Sequence, residues 1–319
     1  MSQANHTVFS YPATSDMTIL LGREPTLEER LAHQAFPCLV PTDFLAGDDQ
    51  GPLLRQVVPD ARELLEVAGF RKDPLAEGTA RPVPGIIRRF QGRALLLASS
   101  ACAIHCRYCF RRHDPLADAP RTLEDWQTIL QHLAGDSSIQ EVILSGGDPL
   151  TLEDDPLAWL IQQLAAIPHI QTLRIHSRMA VVVPSRLGEG FIQALTASRL
   201  TPILMIHCNH PAELTPQAVE GLQELAKAGI LLFNQSVLLA GVNDSLDTLC
   251  ALSQALIAAR VAPCYLHLLD PVAGAAHFQV SALRGSRLIQ GMRRRLPGYA
   301  VPRLVREMVG LSQKKIISA

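Results

Sequence analysis

The sequence predicts an α/β fold: an incomplete, open (β/α)6 barrel of the TIM type, with an N-terminal helical extension and a short C-terminal one. Three observations carry this prediction. Six short apolar runs recur after residue 92, helical patterns fill the gaps between them, and polar residues gather where the runs end. Apolar runs of this length bounded by turn residues read as strands buried on both faces, and strands alternating with helices build a parallel sheet. Six units fall short of the eight that close a complete barrel.

The elements can be justified in order. Residues 1–90 are irregular and rich in proline, with helical patterns at TLEERLAHQ (26–34) and PDARELLEVAG (59–69), the second stopped by Gly69. RPVPG (81–85) reads as a turn or linker. The strand runs are RALLLASS (93–100), EVILSGG (141–147), TLRIHS (172–177), PILMIHC (202–208), ILLFNQSVLL (230–239) and APCYLHLL (262–269). From the second onward they start roughly 30 residues apart, the repeat of a βα unit. Between them lie TLEDWQTILQHLAG, DDPLAWLIQQLAAI, RLGEGFIQALTASR, TPQAVEGLQELAKAG and DTLCALSQALIAAR, several of which open on Thr or Asp as expected of N-caps. The expected organisation is an extension over 1–90, the barrel over 91–280 and a C-terminal segment over 281–319.

Composition narrows the function classes. Hydrophobic residues make up 48% of the chain, so a substantial core is expected; charged residues are 18% and the formal net charge is −1, which argues against nucleic acid as the default partner. Arg293-Arg294-Arg295 reads as a solvated helix face. The N-terminus lacks the layout of a signal peptide and no apolar run has the length of a membrane span, so a cytoplasmic protein with no membrane partner is expected. Of 7 cysteines, Cys38, Cys208, Cys250 and Cys264 are scattered, and the odd total does not suit a complete disulfide framework.

The other three stand within eight positions, in ACAIHCRYCFRRH (101–113). Thiolates at Cys102, Cys106 and Cys109 can face one metal centre. Two closures are open to them. His105 or His113 can complete a Cys3His zinc site. Alternatively, the three thiolates hold a cubane iron–sulfur cluster, which ordinarily takes four and would be left with one open iron, a catalytic rather than an electron-carrying feature. The polar residues at strand ends point the same way: Cys102 follows the first run, Asp148 the second and Asp270 the sixth, while His207 lies at the end of the fourth and Gln235 within the fifth. Active sites of parallel α/β folds lie at the C-terminal strand ends.

The spacing Cys-x3-Cys-x2-Cys with Tyr108 before the last Cys resembles the signature of the radical S-adenosylmethionine (SAM) superfamily, and LSGGDPL (144–150) resembles its glycine-rich SAM-binding motif. With PVPGIIRRFQGRALLL (82–97), CRYCFRR (106–112), RIHSR (174–178), HCNHP (207–211), NQSVLLAGVND (234–244) and GYAVPRLV (298–305), residues 55 to 314 resemble the lysine 2,3-aminomutase family, most of all its branch that serves β-lysylation of elongation factor P. The resemblance implies an isomerase that converts lysine to β-lysine with a [4Fe–4S] cluster, SAM and pyridoxal 5′-phosphate (PLP). It also implies an electron donor of the flavodoxin or ferredoxin type, and a ligase that attaches the product to elongation factor P. The alternatives are an aminomutase that makes a free β-amino acid from lysine or glutamate, and, in another class, a zinc-stabilised interaction module without activity.

Site roles follow from the resemblance residue by residue. Cys102, Cys106 and Cys109 hold the cluster; Gly146, Gly147, Asp148, His207 and Gln235 contact SAM. Lys314 stands at the PLP position, with Lys315 as the alternative register, and this chain keeps only Gly310 of the glycine run that often precedes that lysine. Arg93 matches the PLP-phosphate arginine. Arg111 matches the arginine for the substrate carboxylate, a role suited to a bidentate guanidinium; Asp270 and Glu307 match the two acids for the substrate ammonium. Two acids there would repel the second carboxylate of glutamate.

Overall fold

A computed structural model describes residues 9–45, 51–114, 116–311 and 313–317. Seven parallel strands run β1 (Arg93–Ser99), β2 (Glu141–Gly146), β3 (Thr172–Ser177), β4 (Thr201–Ile206), β5 (Leu231–Leu238), β6 (Ala262–Leu268) and β7 (Arg303–Arg306). Each new strand adds beside the one before it, so the order in space equals the order in sequence. A doubly wound sheet reverses its order at a switch point; this one does not, so successive crossovers of one hand set the helices on one face and curl the sheet. Antiparallel two-residue strands, Ile86–Ile87 against β1 and Lys315–Ile316 against β7, border the sheet at its two ends, and the linear order leaves the barrel open.

The six expected strands all form. The seventh lies within the C-terminal segment, where GYAVPRLV carries only a four-residue run too short to stand out by periodicity. The helices are α1 (Leu123–Ala134), α2 (Asp154–Ala165), α3 (Glu189–Thr196), α4 (Pro216–Lys227), α5 (Leu246–Ala258) and α6 (Ala282–Arg295). Their caps are Thr122, Thr215, Ser245 and Ser281, whose hydroxyls accept from the first-turn N–H groups. The expected Asp caps sit instead inside the first turn, as Asp154–Asp155 in α2 and Asp247 in α5, where they favour the positive helix end.

The extension supplies walls for the site. Leu27–Ala35 is helical as expected, with a Thr26–Glu29 capping box. The helix expected over 59–69 is not formed: only Ala61–Leu64 makes a 3-10 turn, and Leu65 remains 61% exposed. Glu63 explains the departure. Its carboxylate is drawn into the interior to meet both Arg107 and Arg112, two residues of the cysteine loop, and a buried ion set of this kind outweighs weak local helix propensity. One hydrophobic core joins Met17, Phe44, Leu53 and Val57 of the extension to the barrel strands and helices, while a second under β5–β7 gathers Leu266, Ile289, Met292 and Leu304. Among the described residues no helix is long and apolar enough to cross a membrane.

Candidate active site

The C-terminal strand ends open into a cavity of about 520 Å³. Its lining includes Cys102, Cys106 and Cys109; Gly146, Gly147 and Asp148; His207 and Gln235; and Arg93, Arg111, Asp270, Glu307 and Lys314, but not His105, His113 or Lys315. They come from strand ends and loops spread over more than two hundred residues of chain, brought together because parallel strands all end at one mouth.

The cysteine loop follows β1. Burial first, and then the neighbouring thiolates, push the thiol of Cys102 well above its ordinary value and that of Cys109 up to about 11. Among the described residues no three His, Cys, Asp or Glu side chains stand close enough to share one metal ion. Cys102, Cys106 and Cys109 all line the one cavity, as thiolates that share one cubane must. The zinc alternative loses its fourth ligand. His105 Nδ1 is 2.7 Å from Pro37 O and its ring stacks on Phe36; His113 Nε2 is 2.9 Å from Ala273 O; neither lines the cavity.

The glycines at the end of β2 also make a contact within the chain. Gly147 N–H donates to Ser99 O and Asp148 N–H to Ala101 O, binding this turn to the loop that enters Cys102. A Cβ on Gly146, whose φ is 113°, would lie 2.6 Å from Ser99 O, and one on Gly147 would collide with Ala101 O. Their missing side chains thus admit the loop that enters Cys102. The Asp148 carboxylate is likewise engaged away from the cavity, accepting from Leu150 N–H (3.0 Å), Ser177 Oγ (2.8 Å), Arg178 N–H (2.8 Å) and Met179 N–H (2.9 Å). What this turn offers a ligand is its backbone.

His207 and Gln235 are brought together. His207 Nδ1 donates to Gln235 O at 2.9 Å, which leaves Nε2 to accept from Tyr108 OH at 2.8 Å. Burial and the nearby Arg178 hold His207 neutral, with its pKa lowered to about 3.

Arg111 is more tightly held than the sequence implies. Its Nε and Nη2 grip both oxygens of Glu77 at 2.7 and 2.9 Å, and Nη1 donates to Ser145 Oγ and Gly146 O. The bidentate edge expected for a substrate carboxylate is thus already in use, and one Nη2 hydrogen remains for a ligand. Glu77 carries no motif signal, since its role depends on meeting an arginine 34 residues later.

Around Lys314 the picture changes. Its Nζ pairs with Glu307 Oε1 and lies 5.6 Å from the Tyr265 ring centroid; Glu307 also meets Arg89 at 3.4 Å. Lys315 is exposed in the edge strand and does not line the cavity. Arg93 and Arg174 both reach Glu141, and Arg174 and Arg303 join Arg93 in the lining, a cationic rim suited to a phosphate. Four buried polar atoms in this part have no partner among the described residues: Asp270 Oδ1, His176 Nε2, His267 Nε2 and Arg174 Nε. Burial first, and then Glu307, raise Asp270 to about 7, against the pull of Lys314 and Arg89. Orphaned buried donors and acceptors beside a lysine are what a polar, charged ligand would satisfy. His267 and Glu77 were missed from the sequence, where lone residues carry no pattern; Arg89, Arg174 and His176 lie in the quoted stretches 82–97 and 174–178 but were given no role there.

The description Radical SAM superfamily matches residues 96–251. An L-lysine 2,3-aminomutase of Haemophilus influenzae is 41% identical, with the match covering 95% of this chain and 93% of that protein. One from Escherichia coli is 43% identical, covering 92% and 86%. One from Clostridium subterminale is 37% identical, covering 83% of this chain and 64% of that protein. The crystal structure of Streptococcus suis SuiB bound to S-adenosylmethionine is similar in fold alone, with a TM-score of 0.51 and 13% identity over 69% of this chain and 51% of that one.

Proposed function

Because the chain belongs to the L-lysine 2,3-aminomutase family of radical SAM isomerases, we propose that it moves the amino group of lysine from C2 to C3 to give β-lysine. The observation that carries this reading is one cavity lined both by the three cysteines and by Lys314 beside an unpartnered Asp270 oxygen. When bound, the cluster with SAM supplies a carbon-centred radical and PLP carries the migrating amino group.

The chain's own residues bind, orient and enclose. Cys102, Cys106 and Cys109 would hold the cluster, and the backbone of 146–148 with the His207–Gln235 pair would flank SAM. Lys314 would hold PLP, and Arg93 with Arg174 would serve its phosphate. Arg111 offers its remaining Nη2 hydrogen to the substrate carboxylate. Asp270 takes the ε-ammonium; Glu307 already serves Lys314 and Arg89, so Asp270 is the stronger partner. A cation answers the orphaned carboxylate, which ranks lysine above glutamate. Tyr265, Phe110 and Leu269 line the cavity and exclude water.

The finer reading is that the β-lysine serves elongation factor P through a separate ligase, with a flavodoxin or ferredoxin as electron donor. The wording of the motif CRYCFRR (106–112) supports it. The test is anaerobic purification with iron, sulfide and PLP measured, then incubation with SAM, dithionite and lysine. Four irons, one PLP and β-lysine formation are expected. Colourless protein, bound zinc, or iron-replete protein that leaves lysine unchanged would overturn the proposal.

A further inference from the structure

Arg178, the residue after β3, is 5% exposed and is held at both ends. Its backbone N–H donates to Asp148, so the turn after β2 fixes where it stands. Its guanidinium is fixed as firmly: Nη1 donates to Cys106 Sγ at 2.7 Å and to Tyr108 OH at 2.7 Å, and Nη2 to Gln56 Oε1 at 2.8 Å. The Phe44 ring covers it, 5.3 Å away. Its counter-charge is Glu213, itself 1% exposed, at 3.4 Å; Gln56 bridges the two, accepting from Arg178 and donating to Glu213 at 3.0 Å. Among the described residues Cys106 is the cluster thiol that accepts from a guanidinium.

We infer that Arg178 is a positioning residue that sets the reduction potential of the cluster through its hydrogen bond to Cys106 Sγ, with Glu213 as the opposing charge. Reduction brings one electron from an external donor onto the cluster and makes it more negative. A buried cation on a ligand sulfur stabilises that added charge, and hydrogen bonds to cluster sulfurs are a known lever on potential. Glu213 acts with the opposite sign, because it offsets part of the arginine's field. The inference rests on the cubane assignment made above.

The test uses the full chain, reconstituted without air and with no substrate added. The cluster is titrated with dithionite and mediators while the reduced form is followed by electron paramagnetic resonance. At the wild-type midpoint, Arg178→Gln should lower the ratio of reduced to oxidised cluster at least tenfold, a shift of about 59 mV for one electron. Arg178→Lys, which keeps the charge but not the fork, should lower it less. Glu213→Gln should raise the ratio, a direction that mere damage to the fold would not produce. Ratios within twofold of wild type in both Arg178→Gln and Glu213→Gln, or both moving the same way, would overturn the inference. Should Arg178→Gln fail to hold iron, Arg178→Lys and Glu213→Gln decide alone. A wild-type protein that takes up no cubane would instead sink the cysteine assignment, which separates the two failures.

Discussion

The two ends of the cavity differ in how completely their polar atoms are satisfied. At the cysteine end most groups have a partner within the chain: Asp148 accepts from four groups, His207 uses both nitrogens, and Arg178, Tyr108, Gln56 and Asn209 form one buried network, with Arg178 Nε and Arg112 Nε the exceptions among the described residues. At the lysine end Asp270, His176, His267 and Arg174 each keep an atom unpartnered. A satisfied network is rigid scaffolding, whereas buried orphans carry a desolvation cost that a ligand relieves. The first end is built before anything binds; the second is completed by what binds.

That contrast breaks most visibly at the cysteines. Replacing any one of Cys102, Cys106 or Cys109 by Ala should abolish both cluster binding and SAM cleavage, read as iron content and 5′-deoxyadenosine release; an iron-replete, active Cys106→Ala would refute the role. Next in size, Lys314→Ala should lose PLP trapped by borohydride while iron content stays unchanged, which would show that the two ends are separable. Lys315→Ala should trap PLP normally, and the reverse result would shift the register by one.

A smaller effect sharpens the orphan argument. Asp270→Asn should weaken lysine binding by about 2–5 kcal/mol, read as the Michaelis constant. Asp270 is protonated below about 7 in the ligand-free protein, so the wild-type Michaelis constant should fall as pH rises through that value. The sign for stability is opposite. The folded state holds this proton where the unfolded chain has lost it, so this group's contribution to stability declines from about pH 4 to about 7. Both pH dependences should flatten in Asp270→Asn. Smallest of all, Gly147→Ala should cost about 1–3 kcal/mol in denaturant unfolding of the cluster-free protein, because its methyl meets Ala101 O. An unchanged midpoint would mean the turn and the cysteine loop are not coupled.

Much of the site was legible early. Cysteines at 102, 106 and 109 sit in one loop, so their spacing alone places them at one centre. Run length and interval foretold β1 to β6, and parallel winding then carried Asp148, His207, Gln235 and Asp270 to a common mouth. What stayed hidden were pairings. Glu77 lies 34 residues from Arg111 and Gln56 lies 122 from Arg178, and no local pattern marks either. The 59–69 segment misled because helix periodicity is a local property, whereas Glu63 answers to arginines 44 and 49 residues away.

The order of residues by itself determined the strands, the helices between them, the cysteine loop and the end of the sheet at which the cavity opens, since each depends on neighbours within a few positions. Only the folded chain decided which arginine serves a sulfur, which serves an acid and which acid is left waiting. Those choices are made by desolvation and charge across distant segments, and they exist only once water has been removed from between them.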